Sequence, residues 1–335
     1  MFTRQLGRSG IEVSALGLGC WAIGGPWHDA ETGEAFGWGE VDDQDSIAAI
    51  HCAIDAGITL IDTSDNYGAG HSERVIGQAL QGRRSQVVIA TKFGFVTNEK
   101  TKQATGQNAS RAYIKQACEA SLRRLNTDYI DLYQFHLGDY PKEQAAEVMA
   151  VLEELVSEGK IRYFGWSTDL PDRARIFAQS PHCAAIQHEM NIFRDNSDMI
   201  SLCEKHKLAS INRGPLAMGL LTGKYSDAVT VTDPKDIRGR SNLDWLTYFK
   251  NGMPSPSMIT QLHHIREILT SNGRSLTQGA LAWLWAKSDL TLPIPGFRNV
   301  NQVLENAQAA EFGPLTQAQM EQIQLLLTQA AESSN

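Results

Sequence analysis

Strand-like and helix-like segments alternate along the chain, and they predict an α/β fold: a (β/α)8 TIM barrel with an N-terminal β-hairpin and an extra C-terminal helix. Strict alternation implies a parallel sheet. Three successive apolar runs also end on titratable residues, with Asp62 after Leu60-Ile61, Lys92 after Val87 to Thr91, and His136 after Ile130 to Phe135. That placement matches the active-site face of a parallel barrel. Finally, no linker or shift in composition divides the 335 residues, so one domain spanning 1–335 is expected.

Phe2 to Val13 has two alternating runs around Gly7-Arg8-Ser9-Gly10, which predicts a hairpin plugging one end of the barrel ahead of the first strand at Ala15 to Leu18. Then come helix Ser46 to Ala56, strand Thr59 to Asp62, helix Ser72 to Leu80, strand Val87 to Thr91, helix Ser110 to Leu125, strand Ile130 to Phe135 and helix Lys142 to Ser157. The second half reads strand Arg162 to Gly165, helix Arg173 to Ala178, strand Ala185 to Gln187, helix Met199 to His206 and strand Leu208 to Ile211. Helices Met258 to Thr270 and Leu276 to Ala286, strand Thr291 to Ile294, helix Val300 to Ala310 and a last helix Thr316 to Ala330 complete the set.

Three connections are longer than ordinary βα loops: Ile23 to Val41, Phe93 to Ala109 and Tyr225 to Pro256. All three follow strands, which places them on the catalytic face. Their aromatics Trp27, Trp38, Phe95 and Trp245 either wall a substrate pocket or pack the loops onto the barrel rim.

Composition narrows the function. A net charge of -8 and the absence of basic clusters argue against broad nucleic-acid binding. There is no apolar run long enough to span a membrane and no signal peptide at Met1, so a soluble, cytoplasmic protein is expected. The five cysteines are widely spaced with no C-x-x-C, which reads as reduced structural thiols.

Asp62, Tyr67, Lys92 and His136 form the chemical core. A phenol with its reference pKa of about 10 is a poor proton donor at neutral pH unless a nearby cation stabilises the phenolate, and Lys92 can supply that charge. Asp62 would hold Lys92 charged and oriented, while His136 would position a carbonyl oxygen beside Tyr67. Such a site protonates a carbonyl oxygen while the carbon is attacked. In a chain without a metal-ligand cluster, hydride from a nicotinamide is the natural attacker.

In these residues the chain resembles the aldo-keto reductases. IDTSDNYGAGHSE, VVIATKFG, SLRRLNTDYIDLYQFH, GPLAMGLLTGKY and PIPGFRNVNQVLENAQA are family-like in order and spacing over nearly the whole length, in the manner of the bacterial general-stress and inositol-operon members. The resemblance implies NADP(H) bound across the barrel face, with Tyr67 as general acid/base, Lys92 and Asp62 tuning it, and His136 orienting the carbonyl. It further implies that Ser167, Thr168 and Gln187 hold the nicotinamide carboxamide. Leu216, Gly219, Leu221 and Lys224 would lie over the pyrophosphate, and Gly296, Phe297, Arg298, Gln302, Glu305 and Asn306 around the adenosine 2'-phosphate and adenine. Arg298 would favour NADPH over NADH, since a guanidinium suits a phosphate and the following helix N-terminus adds to the attraction.

The chain departs from the commonest family pattern at two positions. Thr168 stands where many members have Asn. Arg213 stands where many stack an aromatic on the nicotinamide, and its planar guanidinium would stack there or reach the pyrophosphate.

Two other readings compete. A lysine at a barrel strand end can act as a Schiff-base nucleophile, but the carboxylate of Asp62 would keep Lys92 charged. The same barrel also serves as a cofactor-binding regulatory subunit of membrane channels, although no long N-terminal extension precedes the barrel here. Gly17, Gly19 and Ala22 fit a loose dinucleotide fingerprint, but Gly24-Gly25-Pro26 come next, where that motif must open a helix. The expected substrate is a small carbonyl compound, and the sequence leaves its identity and the oligomeric state open.

Overall fold

A computed structural model describes residues 1–225, 230–240 and 242–332, with side chains through residue 329. Eight strands form one parallel sheet in sequential order: β1 (Gly17–Gly19), β2 (Leu60–Asp62), β3 (Val88–Phe93), β4 (Ile130–Phe135), β5 (Ile161–Ser167), β6 (Cys183–Glu189), β7 (Ala209–Arg213) and β8 (Thr291–Pro293). The ends meet where Gly19 bridges in parallel to Gly296 and its N–H donates to the Pro295 carbonyl at 3.0 Å. A side chain at position 19 would meet the Ile294 carbonyl at 2.5 Å, so glycine permits the closure.

Around the barrel run α1 (Asp43–Asp55), α2 (His71–Ala79), α3 (Arg111–Leu125), α4 (Ala145–Ser157), α5 (Pro171–Phe177), α6 (Ser197–His206), α7 (Pro256–Leu269), α8 (Leu276–Lys287), α9 (Val300–Phe312) and the extra α10 (Gln317–Glu332). Their starts are chemically marked. The Asp42 side chain caps α1, Ser110 caps α3, Asn299 caps α9, and Ser275 with Gln278 forms a reciprocal capping box on α8. Among the described residues no helix is long and apolar enough to cross a membrane. All five cysteines are free thiols.

Two antiparallel strands, Thr3–Gln5 and Glu12–Ser14, make the expected hairpin. Its Leu6 and Val13 pack with Leu60, Val88, Leu132, Ala209, Ile211 and Leu292 inside the barrel, so the hairpin fills the end where the strands start. A Cβ at Gly7, whose φ is +52°, would lie 2.1 Å from the Ala184 carbonyl oxygen. Backbone cannot yield there as a side chain would. The Gly7→Val variant is therefore expected to lose about 3 kcal/mol of stability, read from its denaturation midpoint.

The structure differs from the sequence expectation at several boundaries. The first strand begins at Gly17 rather than Ala15, and the Lys142–Gln144 turn is 3-10 rather than α-helical. Strands β5, β6 and β7 extend to Ser167, Glu189 and Arg213, which puts these polar residues on rigid strand ends rather than in loops. The connection Phe93 to Ala109 contains the hairpin Phe95–Asn98 and Gln103–Gln107, joined by His28–Asp29 into a small sheet. In the connection Tyr225 to Pro256, Phe249–Lys250 pairs with Met253–Pro254, while positions 226–229 and 241 lie outside the described residues.

Candidate active site

The barrel brings the four core residues together. Alternation along the strands turns Asp62, Lys92, Gln134, His136 and Gln187 inward at one end. Lys92 is fully buried, and its Nζ donates to Asp62 Oδ1 at 2.5 Å, to the Thr63 carbonyl at 2.8 Å and to the Tyr67 hydroxyl at 3.3 Å. The second oxygen of Asp62 accepts from Gln187 Nε2 at 2.7 Å and Gln134 Nε2 at 3.0 Å. His136 Nδ1 lies 3.1 Å from Ser64 Oγ, and its ring stands edge-on to Tyr67 with centroids 6.1 Å apart.

Electrostatics sorts these groups. Burial works to lower the affinity of Lys92 for its proton, but the Asp62 carboxylate and the Tyr67 phenol outweigh it and hold the ammonium above the usual lysine range. Three acceptors around one ammonium make a cation, not the free amine that a Schiff-base nucleophile requires. Burial raises Tyr67, and Asp62 adds to the rise against the opposing charge of Lys92. The charge expected from Lys92 is in place and lowers the phenol, but desolvation is the larger effect, and the Tyr67 hydroxyl is protonated at neutral pH.

Burial, with the Lys92 and Arg213 charges, pushes His136 well below the usual histidine range. The imidazole is neutral. In the tautomer where the Ser64 hydroxyl donates to Nδ1, the proton sits on Nε2 and is available to an oxygen ligand. A rate that depends on this ring is therefore expected to show no imidazole limb near pH 6.5. Such a limb in kcat against pH would contradict the neutral ring.

The residues expected around the cofactor occupy the same end. Arg213 pairs with Asp169 and lies 3.6 Å from Glu189, and its charge reaches both Tyr67 and His136. Buried Glu189 also takes Arg194 at 2.5 Å and the Tyr248 hydroxyl at 2.6 Å. Ser167 and Thr168 lie at the end of β5, where the Thr168 hydroxyl donates to the Gly138 carbonyl at 2.6 Å. Leu216, Gly219 and Leu221 sit in a tight turn with φ of +49° at Ala217, +54° at Met218 and +96° at Gly219. The Leu221 and Phe297 side chains are buried in the core, whereas Lys224 is exposed.

At the start of α9 the Arg298 N–H donates to Gln302 Oε1 at 2.7 Å, and its guanidinium donates to the Glu40 carbonyl. Asn306 Nδ2 reaches the Gly296 carbonyl at 3.5 Å, and the Glu305 backbone carbonyl accepts from Gln278 at 3.2 Å.

Of the four loop aromatics, Phe95 stacks edge-on against His136 at 5.1 Å, and Trp38 and Trp245 lie 5.3 and 6.5 Å from Trp21. Trp21 in turn stacks on Tyr67 at 5.9 Å. Trp27 packs on Phe36 instead and is buried there. Sequence reasoning missed Trp21, Ser64 and Gln134. The signal for Gln134 was present, since it lies two residues before His136 and so shares its strand face.

The chain matches the model of the aldo/keto reductase family over residues 15–327. This chain belongs to the aldo/keto reductase family. The aldo-keto reductase YhdN of Bacillus subtilis (strain 168) is 35% identical over 301 residues, 88% of this chain and 84% of that protein. The NADH-specific methylglyoxal reductase of Escherichia coli (strain K12) is 34% identical over 317 residues, 91% of this aldo/keto reductase and 92% of the relative. Among solved structures, an aldo/keto reductase from Klebsiella pneumoniae in complex with NADP and acetate superposes with a TM-score of 0.70 at 28% identity, covering 98% and 96% of the two chains.

Proposed function

We propose that this aldo/keto reductase reduces aldehydes and ketones, sugars among them, to alcohols with NADPH, and that Tyr67 is the general acid. The observation that carries the reading is the buried Asp62–Lys92–Tyr67 chain of contacts beside a neutral His136. Bound at the strand ends, the nicotinamide supplies hydride to the carbonyl carbon. Tyr67 donates its proton to the carbonyl oxygen, and Lys92 stabilises the phenolate left behind. His136 Nε2–H holds that oxygen in line. Around it, Trp21, Trp38, Trp245 and Phe95 offer aromatic faces to the substrate.

The donor set fits a phosphorylated dinucleotide. Both amide hydrogens of Gln187 are spent, on Asp62 and on Gln134 at 3.2 Å, which leaves its carbonyl oxygen for a carboxamide N–H. The Thr168 proton is likewise spent on Gly138, so the Ser167 hydroxyl is the natural donor to the carboxamide oxygen. Arg213 and Lys224 supply positive charge toward the pyrophosphate. Arg298, at the start of α9, does so for the 2'-phosphate, with Gly296, Phe297, Gln302, Glu305 and Asn306 around the adenosine.

Fluorescence titration with NADPH and NADH, followed by a panel of carbonyl compounds, tests the reading: NADPH-selective binding with oxidation on adding a carbonyl supports it, and absence of binding overturns it. The Arg298→Ala variant is expected to weaken NADPH by about 10- to 100-fold and NADH by no more than about twofold. The NADH-specific relative makes this comparison decisive, and equal losses for both cofactors would remove the 2'-phosphate role.

A further inference from the structure

Asp62 is gripped from two sides, and only the Lys92 side has a role in the proton transfer to the carbonyl oxygen. Oδ1 takes Lys92, while Oδ2 takes the two glutamine amides. Gln134 is fully buried between Leu132 and His136 on the inward face of β4. Its carbonyl oxygen accepts from Gln187 at 3.2 Å, which decides that its NH2 end faces the carboxylate. A flexible lysine ammonium takes its direction from its acceptors. Of the three here, the Thr63 carbonyl is fixed by the backbone, and the Tyr67 contact, at 3.3 Å, is the longest.

We propose that Gln134 is a positioning residue for proton donation: its amide N–H fixes the Asp62 carboxylate, and through it the Lys92 ammonium beside the Tyr67 hydroxyl. The role rests on Tyr67 being the acid. Without the amide, Oδ2 keeps only the Gln187 donor, the carboxylate tilts toward it, and Lys92 follows Oδ1 away from the phenol. Because Gln187 also reaches the proposed carboxamide site, the hydride and proton positions share one hydrogen-bonded frame.

Two full-length variants test this, with kcat for carbonyl reduction followed between about pH 5 and 9 and NADPH affinity measured by fluorescence. Gln134→Met, similar in size but without an amide, is expected to lose about tenfold in kcat with NADPH binding within about twofold of wild type. In Gln134→Glu the introduced carboxyl faces Asp62, and the like charge raises its proton affinity. Its protonated form donates as the amide does, so kcat stands near wild type at acid pH and falls toward the Gln134→Met level as pH rises.

One neighbouring acid, Asp65, is pushed well above the usual carboxylate range and is coupled to Lys92; wild type and both variants carry it alike, so the new limb is the difference between the Gln134→Glu and wild-type profiles. Lys92, Tyr67 and Cys20 are raised above their usual values, and His136 is pushed well below its own. A Gln134→Met rate within about twofold of wild type, or a Gln134→Glu profile without the new limb, assigns Gln134 to packing and overturns the proposal. Should Gln134→Met fail to fold, as read by thermal melting, the Gln134→Glu profile still decides. Tyr67→Phe, run in parallel, separates the two readings. If it keeps full reduction, the acid assignment has failed. If it is inactive while both Gln134 variants match wild type, only the role of Gln134 falls.

Discussion

Replacing Tyr67 by Phe is expected to lower the rate of carbonyl reduction by ~10²–10⁴-fold and to leave NADPH affinity within about twofold of wild type. The substitution removes one hydroxyl and almost no surface. That hydroxyl is the Tyr67 atom that touches Lys92, and burial keeps it protonated at neutral pH, so no other group on Tyr67 can take over the donation. The ring and its stacking on Trp21 at 5.9 Å remain, so the pocket wall survives. Steady-state kinetics with a cofactor titration separates the two effects. A variant retaining more than about a tenth of the wild-type rate would show that another group protonates the oxygen.

Removing Arg124 should destabilise the protein by ~3–5 kcal/mol, the range for leaving a buried charge without its partner. Glu73, on α2, has a fully buried side chain and accepts from Arg124 Nε on α3 at 2.6 Å and from Thr91 Oγ1 on β3 at 2.6 Å. Asp65 lies in the same interior: burial and the Glu73 charge push it well above the usual carboxylate range, and its Oδ1 has no hydrogen-bond partner. Without the guanidinium, Glu73 loses its cation and the repulsion between Glu73 and Asp65 is less opposed.

Chemical denaturation of Arg124→Met measures the loss. Asp65, already raised by burial and the Glu73 charge, loses in the variant the Arg124 charge that lowers it, so the folded state binds its proton more tightly than the unfolded chain does. The loss therefore shrinks as pH falls below the folded pKa. Adding Glu73→Gln should recover part of it, and a double mutant no more stable than Arg124→Met would show that the pair does not set the cost.

Much of this molecule is legible in local pattern. Hydrophobic period locates the strands, and a titratable residue closing each of three apolar runs identifies Asp62, Lys92 and His136, because side-chain alternation and strand ends are properties of a few consecutive residues. Motif spacing adds Tyr67 and the family. Contacts made across the barrel leave no such local trace. The two glutamines that hold Asp62 come from strands 72 and 125 residues away in the chain.

The clamp on Arg213 joins β7 to Asp169 and Glu189, and Trp21 reaches Tyr67 only once the first strand lies beside the second. Even the proton affinity of Tyr67 is out of reach of residue types alone, since desolvation depends on how closely the closed barrel excludes water. Residue type and spacing therefore determined the family and the four residues proposed for its chemistry. Closure of the sheet alone decided which groups surround Asp62, Lys92 and Tyr67, because hydrogen-bond partners far apart in sequence are selected by geometry that no local period encodes.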